Sequence, residues 1–179
     1  MRAQQEFSRP SSYYEGVWQL QLRRPFFLCH NKWMSSRDDR VIICRKVSFS
    51  SGHRCYRPDL SEEENQEIFG SSYSRSGHGN NFILEACFRG RVDPVTGMVI
   101  NLSEIDSLLK EVVAPLDHHF LNDDVDHFQD IVPTTENIAL YCYHQIKERA
   151  VSRLDQVGLH RVRLFEGDDL WVECGGFDS

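Results

Sequence analysis

The chain has 179 residues, 40% of them hydrophobic and 26% charged, and a formal net charge of −7. That length and balance predict one domain of ordinary size with a real core rather than a disordered chain, and the acidic surplus argues against a broad nucleic-acid-binding surface. No apolar run approaches the ~20 residues of a membrane helix, and "GVWQLQLRRPFF" is interrupted by Gln and Arg where a signal peptide needs a continuous apolar segment, so no membrane association and a cytoplasmic location are expected.

Residues 1–40 mix Arg, Ser and aromatics with no sustained period, and are expected to form an N-terminal extension outside the domain of residues 41–179. From Val41 the patterns sharpen. "VIICRKVSFSSGH" is rich in β-branched residues and predicts a strand. Ser61 and Glu64 in "SEEENQEIFG" fit a capping box, which predicts a short helix ending at Gly70. "NNFILEACFRGRV" predicts a second long strand, and "DPVTG" a turn leading into a hairpin-like excursion over "MVINL". In "SEIDSLLKEVV", Ile105, Leu108, Leu109 and Val112 recur at helical spacing on one face. "TTENIALYCYHQIKERA" predicts a second long helix with a Thr cap and an early Glu. "LHRVRLFEG" and "DLWVEC" predict a closing antiparallel hairpin. The expected class is α+β: a four-stranded antiparallel sheet in ββααββ order, with two helices on one face.

Six cysteines occupy positions 29, 44, 55, 87, 142 and 174, none in C-x-x-C spacing. A zinc ribbon or thioredoxin-type motif is therefore not expected. In a cytosolic chain the thiols are expected to be reduced and to behave as small buried hydrophobes.

Four groups carry chemical interest. His53 ends the first strand, and His78 with Asn80 begins the second. Antiparallel pairing would bring these ends side by side, and two imidazoles there suit a transition metal such as zinc. A lone His near a strand end is also an ordinary polar residue. Asp117 and His118, in "PLDHHFLN", read either as a proton relay or as a helix-end cap, since adjacent residues rarely face each other. Glu166 falls in phase with Val162 and Leu164, so it sits on their buried face and needs a partner, either a ligand or an internal Arg.

The ordered series "FSSGHR", "SEEENQEIFG", "GHGNNF", "DPVTGMVINLSEID", "PLDHHFLN", "VPTTENIA" and "VRLFEG" resembles the 6-pyruvoyl-tetrahydropterin synthase and 6-carboxytetrahydropterin synthase family from about Val41 to Glu173. The resemblance implies a tunnelling fold (T-fold), in which three subunits join their sheets into a barrel and two trimers stack. It implies 7,8-dihydroneopterin triphosphate as substrate, zinc as cofactor, and a pterin ring held by Glu166 in a pocket walled by Thr134, Thr135 and Glu136. It implies metal-assisted proton abstraction, relay through Asp117 and His118, and elimination of triphosphate.

Two positions depart from the family pattern. Asn80 stands where the third zinc-binding His falls, and Ser72, in "FGSS", stands where the F-G-x-C pattern has its catalytic Cys. Three repairs are open: His118 is itself the base; Cys55, two residues past His53, completes the metal site or supplies a thiolate; or nothing compensates, and the chain binds a pterin with little or no turnover. The pyruvoyl and carboxy branches share the first step, so they stay open here, as do queuosine, biopterin and folate as downstream routes.

Overall fold

The structure, a computed structural model, describes residues 40–154 and 157–176. The expected extension thus lies outside the described residues, apart from Arg40. Strands β1 (Arg40–His53) and β2 (His78–Arg91) pair antiparallel over their whole length, with Arg40 opposite Arg91 and His53 opposite His78. The connection carries helix α1 (Glu62–Phe69). The Ser61 hydroxyl accepts the Glu64 N–H, and the Glu64 carboxylate accepts the Ser61 N–H, so the predicted capping box is complete. The helix stops at Gly70, whose φ of 55° is open to glycine at little cost. A 3-10 turn over Gly70–Tyr73 follows.

Helix α2 (Leu102–Val113) starts where the Asn101 side chain accepts the Ser103 N–H. Its buried residues are Ile105, Leu108, Leu109, Val112 and Val113. After it come a two-residue strand β3 (His119–Phe120) and a single-turn helix α3 (Leu121–Asp124). Helix α4 (Thr135–Arg153) is capped by the Thr134 hydroxyl on the Asn137 N–H. Strands β4 (Gly158–Glu166) and β5 (Trp171–Gly175) close the chain as an antiparallel hairpin, and β4 pairs antiparallel with β2. The sheet order is β3-β1-β2-β4-β5.

Helix α2 rests on β1, and α4 on β4 and β5, all on one face of the sheet. Phe82, Leu84, Ala86 and Phe88 form the buried stripe of β2, and Val162 and Leu164 continue it on β4. They alternate with exposed or half-buried residues at the strand period of two, except at Cys87, which is buried on the other face. Each large side chain contributes about 1.5–3 kcal/mol through burial.

Three expectations are corrected. The sheet has five strands and is mixed, because β3 runs parallel to β1 through Ser51 and Gly52; two residues carry no alternation to detect. "MVINL" is no strand. The Asp93 carboxylate takes the N–H groups of Val95 and Thr96, and the Asp93 N–H bonds to the Met98 carbonyl, which closes a compact turn instead. Finally, Cys44 and Cys87 are joined in a disulfide rather than held as separate thiols. They are direct cross-strand partners, 43 residues apart in sequence, so short-range spacing rules could not pair them.

Candidate functional site

Strand alternation builds the site. The inward row of β1 ends in Phe49, Ser51 and His53, and the facing row of β2 begins with His78, Asn80 and Phe82. His53 and His78 are cross-strand partners, and their ring centroids lie 4.4 Å apart. Glu166 ends β4 opposite Phe82, which places its carboxylate diagonally from Asn80 on the same face. Just before His78, Gly77 has φ 67°, and a Cβ there would lie 2.6 Å from the Phe120 ring. Only glycine lets the chain enter β2 at that angle.

His53 is buried, and its Nδ1 lies 2.7 Å from the Pro133 carbonyl oxygen. That oxygen only accepts, so Nδ1 carries the proton and Nε2 keeps its lone pair. Burial, and then the neighbouring His78, push the imidazole below its ordinary pKa; the Pro133 bond and the Glu166 charge pull the other way. The Asn80 amide nitrogen donates to His53 Nε2 at 3.0 Å and also to Glu166 Oε1. The other Glu166 oxygen accepts the Thr135 hydroxyl. Glu166 Oε1 stands 3.7 Å from His53 Nε2 and 3.9 Å from His78 Nε2. Ligand atoms of His53, His78 and Glu166 all fall within 4.8 Å of one another, a group able to hold a metal ion. A second cluster, Cys44, Glu85 and Cys87, has its two sulfurs bonded to each other and so offers no thiolate.

Asp117 and His118 do face each other. His118 adopts φ 62°, and this left-handed turn brings its Nδ1 to 2.9 Å from Asp117 Oδ1. The Asp117 carboxylate also accepts the Ser50 N–H, while the His118 N–H bonds to the Ser50 carbonyl. The Ser50 bond, and then His118, hold the Asp117 carboxyl below the usual range. A cavity of about 400 Å³ has both Asn80 and His118 in its wall.

The remaining candidates are less engaged. Ser72 sits in the 3-10 turn, and its carbonyl accepts the Cys55 N–H; its hydroxyl makes no hydrogen bond among the described residues. Cys55 is buried, and β1 stops at His53, so the extended run needed to keep them on one face is missing. Burial, and then the Glu166 and Glu136 charges, push its thiol up, away from thiolate character. Thr134 spends its hydroxyl on capping α4, and Glu136 is exposed in the first turn. Sequence reasoning missed the Pro133 carbonyl, which carries no side-chain signal. It also missed the reach of Glu166 to the histidines, which needs the β2–β4 register.

The profile of the family described as 6-pyruvoyl tetrahydropterin synthase matches residues 42–176. The chain belongs to the 6-pyruvoyl tetrahydropterin synthase family. A protein of Pongo abelii named 6-pyruvoyl tetrahydrobiopterin synthase is 40% identical over 129 residues, 71% of this chain and 86% of that one. A solved Caenorhabditis elegans 6-pyruvoyl tetrahydropterin synthase matches with a TM-score of 0.71 at 34% identity, covering 76% of this chain and 96% of that one. A protein of Archaeoglobus fulgidus named as a putative 6-carboxy-5,6,7,8-tetrahydropterin synthase is 29% identical over 136 residues, 76% of this chain and 96% of that one. The fold is thus the family's T-fold.

Proposed function

We propose that this chain is a pterin lyase that acts on 7,8-dihydroneopterin triphosphate and releases triphosphate. The observation that carries this reading is the meeting, at one end of the sheet, of two imidazoles with a carboxylate anchored by Thr135. Family membership supplies the substrate class, and the relatives that carry pyruvoyl names support that branch over the carboxy one.

Glu166 is the anchor for the pterin: a carboxylate matches the paired N–H groups of the ring through two parallel hydrogen bonds. Thr135 fixes the carboxylate's rotation, and Glu136 borders the same region. His53 and His78 fit a zinc ion, since His53 Nε2 carries a lone pair, fixed in direction by Pro133, that an ion would take over from the Asn80 amide. Bound there, zinc supplies Lewis acidity that weakens a C–H bond beside a ligated hydroxyl. Asp117 accepts from His118 Nδ1, which leaves His118 Nε2 as the proton acceptor. The proton moves from the substrate carbon to that nitrogen, and the electron pair left on carbon expels triphosphate. Ser72 takes no proton here, because an unassisted hydroxyl is far too weak a base at neutral pH. Association through sheet edges, into a trimer or a dimer of trimers, would complete the pocket.

A second reading has its own observation. The Asn80 amide bridges His53 and Glu166, and the Ser72 hydroxyl has no activating partner. Both favour a homologue that binds pterin and turns it over weakly or not at all. Incubation of the zinc-supplemented protein with dihydroneopterin triphosphate separates the two. Triphosphate release that disappears in His118→Ala supports the lyase; pterin binding without release supports the binder. Absence of both would sink the pterin reading.

A further inference from the structure

We propose that the metal of this site is held by His53, His78 and Glu166, with Asn80 outside the donor set. The proposal rests on the reading above for the kind of ion, and it changes what completes the site. Two imidazoles and one carboxylate are a donor set that holds zinc in catalytic centres with a fourth position open. Donor atoms about 2.1 Å from a tetrahedral ion lie about 3.4 Å from one another. Glu166 Oε1 is already 3.7 Å from His53 Nε2 and 3.9 Å from His78 Nε2, so the carboxylate needs to close by only a few tenths of an ångström. Its other oxygen is tied to the Thr135 hydroxyl, and His53 is tied to the Pro133 carbonyl. Both donors are therefore oriented by the partners behind them.

Asn80 faces this group the wrong way round for a ligand. Its amide nitrogen has no lone pair to give, and it donates to His53 Nε2 and Glu166 Oε1, the very atoms that an ion needs. The amide fills the place of the cation. Metal entry must therefore turn or displace the Asn80 amide, and its oxygen, if turned inward, would bring no charge, whereas Glu166 adds a full negative charge. While Oε1 holds an ion, Glu166 cannot turn both oxygens to a pterin, so an ion held this way excludes the two-bond pterin anchor and goes with the weak-turnover reading above rather than with the zinc-assisted lyase.

The test uses the full chain and Co²⁺ or Zn²⁺ alone, with affinity read by competition against a chromophoric chelator and coordination read from the visible bands of Co²⁺. The wild type should bind one ion per chain. Glu166→Gln should weaken binding on the order of 100-fold and alter the Co²⁺ bands, and Thr135→Val, which only frees the carboxylate, about 10-fold. Asn80→Ala should bind as tightly as the wild type or more tightly. Weaker binding in Asn80→Ala beside unchanged binding in Glu166→Gln would overturn the assignment, as would a wild type that takes up no ion. Should Glu166→Gln fail to fold by circular dichroism, Thr135→Val carries the same decision. No arm contains a pterin, so failure here and failure of pterin binding are separate results.

Discussion

Asn80 decides how the site behaves, because one amide holds two acceptors that would otherwise face each other across an empty centre. Combined replacement, Asn80→His with Ser72→Cys, should raise triphosphate release on the order of 100-fold or more, since a positioned thiolate base and a third imidazole both act in the proton-abstraction step. Steady-state assays with added zinc check this. His53 makes a second prediction. Burial holds its folded pKa below the unfolded value of about 6.5. At pH above that value both states are neutral and the full stability is present. As pH falls below about 6.5, the unfolded chain takes up a proton that the folded one resists, so stability declines. Urea midpoints of metal-free protein between pH 8 and pH 5 should fall accordingly. In His53→Asn, which keeps a donor for Pro133, the decline should be smaller.

The same division between what a side chain announces and what a register creates runs through the elements. Helix α1 was legible because Ser61, Glu64 and Gly70 are local signals, and α2 because Ile105, Leu108, Leu109 and Val112 keep a 3.6-residue period. His53 and His78 were legible as strand ends. The Asp117–His118 pair was only half legible, since the bond depends on a left-handed His118 that nothing in "LDHH" requires. The contacts of Glu166 were not legible at all: they come from the β2–β4 register, and that register contains an irregularity at Cys87/Phe88 that shifts it. Helix α4 offers a clean test at this scale. Its Thr134 cap satisfies the Asn137 N–H, and the following residue holds Glu166. Thr134→Ala should lower stability by about 1 kcal/mol in chemical denaturation. It should also loosen the Glu166 anchor, seen as weaker pterin binding together with a loss of metal affinity smaller than that of Thr135→Val.

At the scale of the whole molecule, the described residues leave the sheet open on both sides. Among the described residues, β1 pairs on its outer side only at Ser51 and Gly52, and β5 has no further strand beyond it. Val41, Ile42 and Trp171 are exposed near these borders. Such edges in a stable protein are covered, most simply by copies of the same chain. Light scattering should return a mass that is a multiple of three chains, and Ile42→Lys should shift it toward a single chain. No helix among the described residues is long and apolar enough to cross a membrane.

The bond between Cys44 and Cys87 encloses residues 45–86, and that interval holds His53, Ser72, His78 and Asn80. With the bond formed, both histidines belong to one covalent ring, so they cannot drift far apart even in the denatured chain. A ring of this size removes about 4 kcal/mol of disorder from the unfolded ensemble. A single protease cut inside it should leave two fragments travelling as one species until reductant is added, which mass spectrometry reads directly. In the oxidised chain, metal capture would then begin from a tethered pair of imidazoles rather than from two distant strangers.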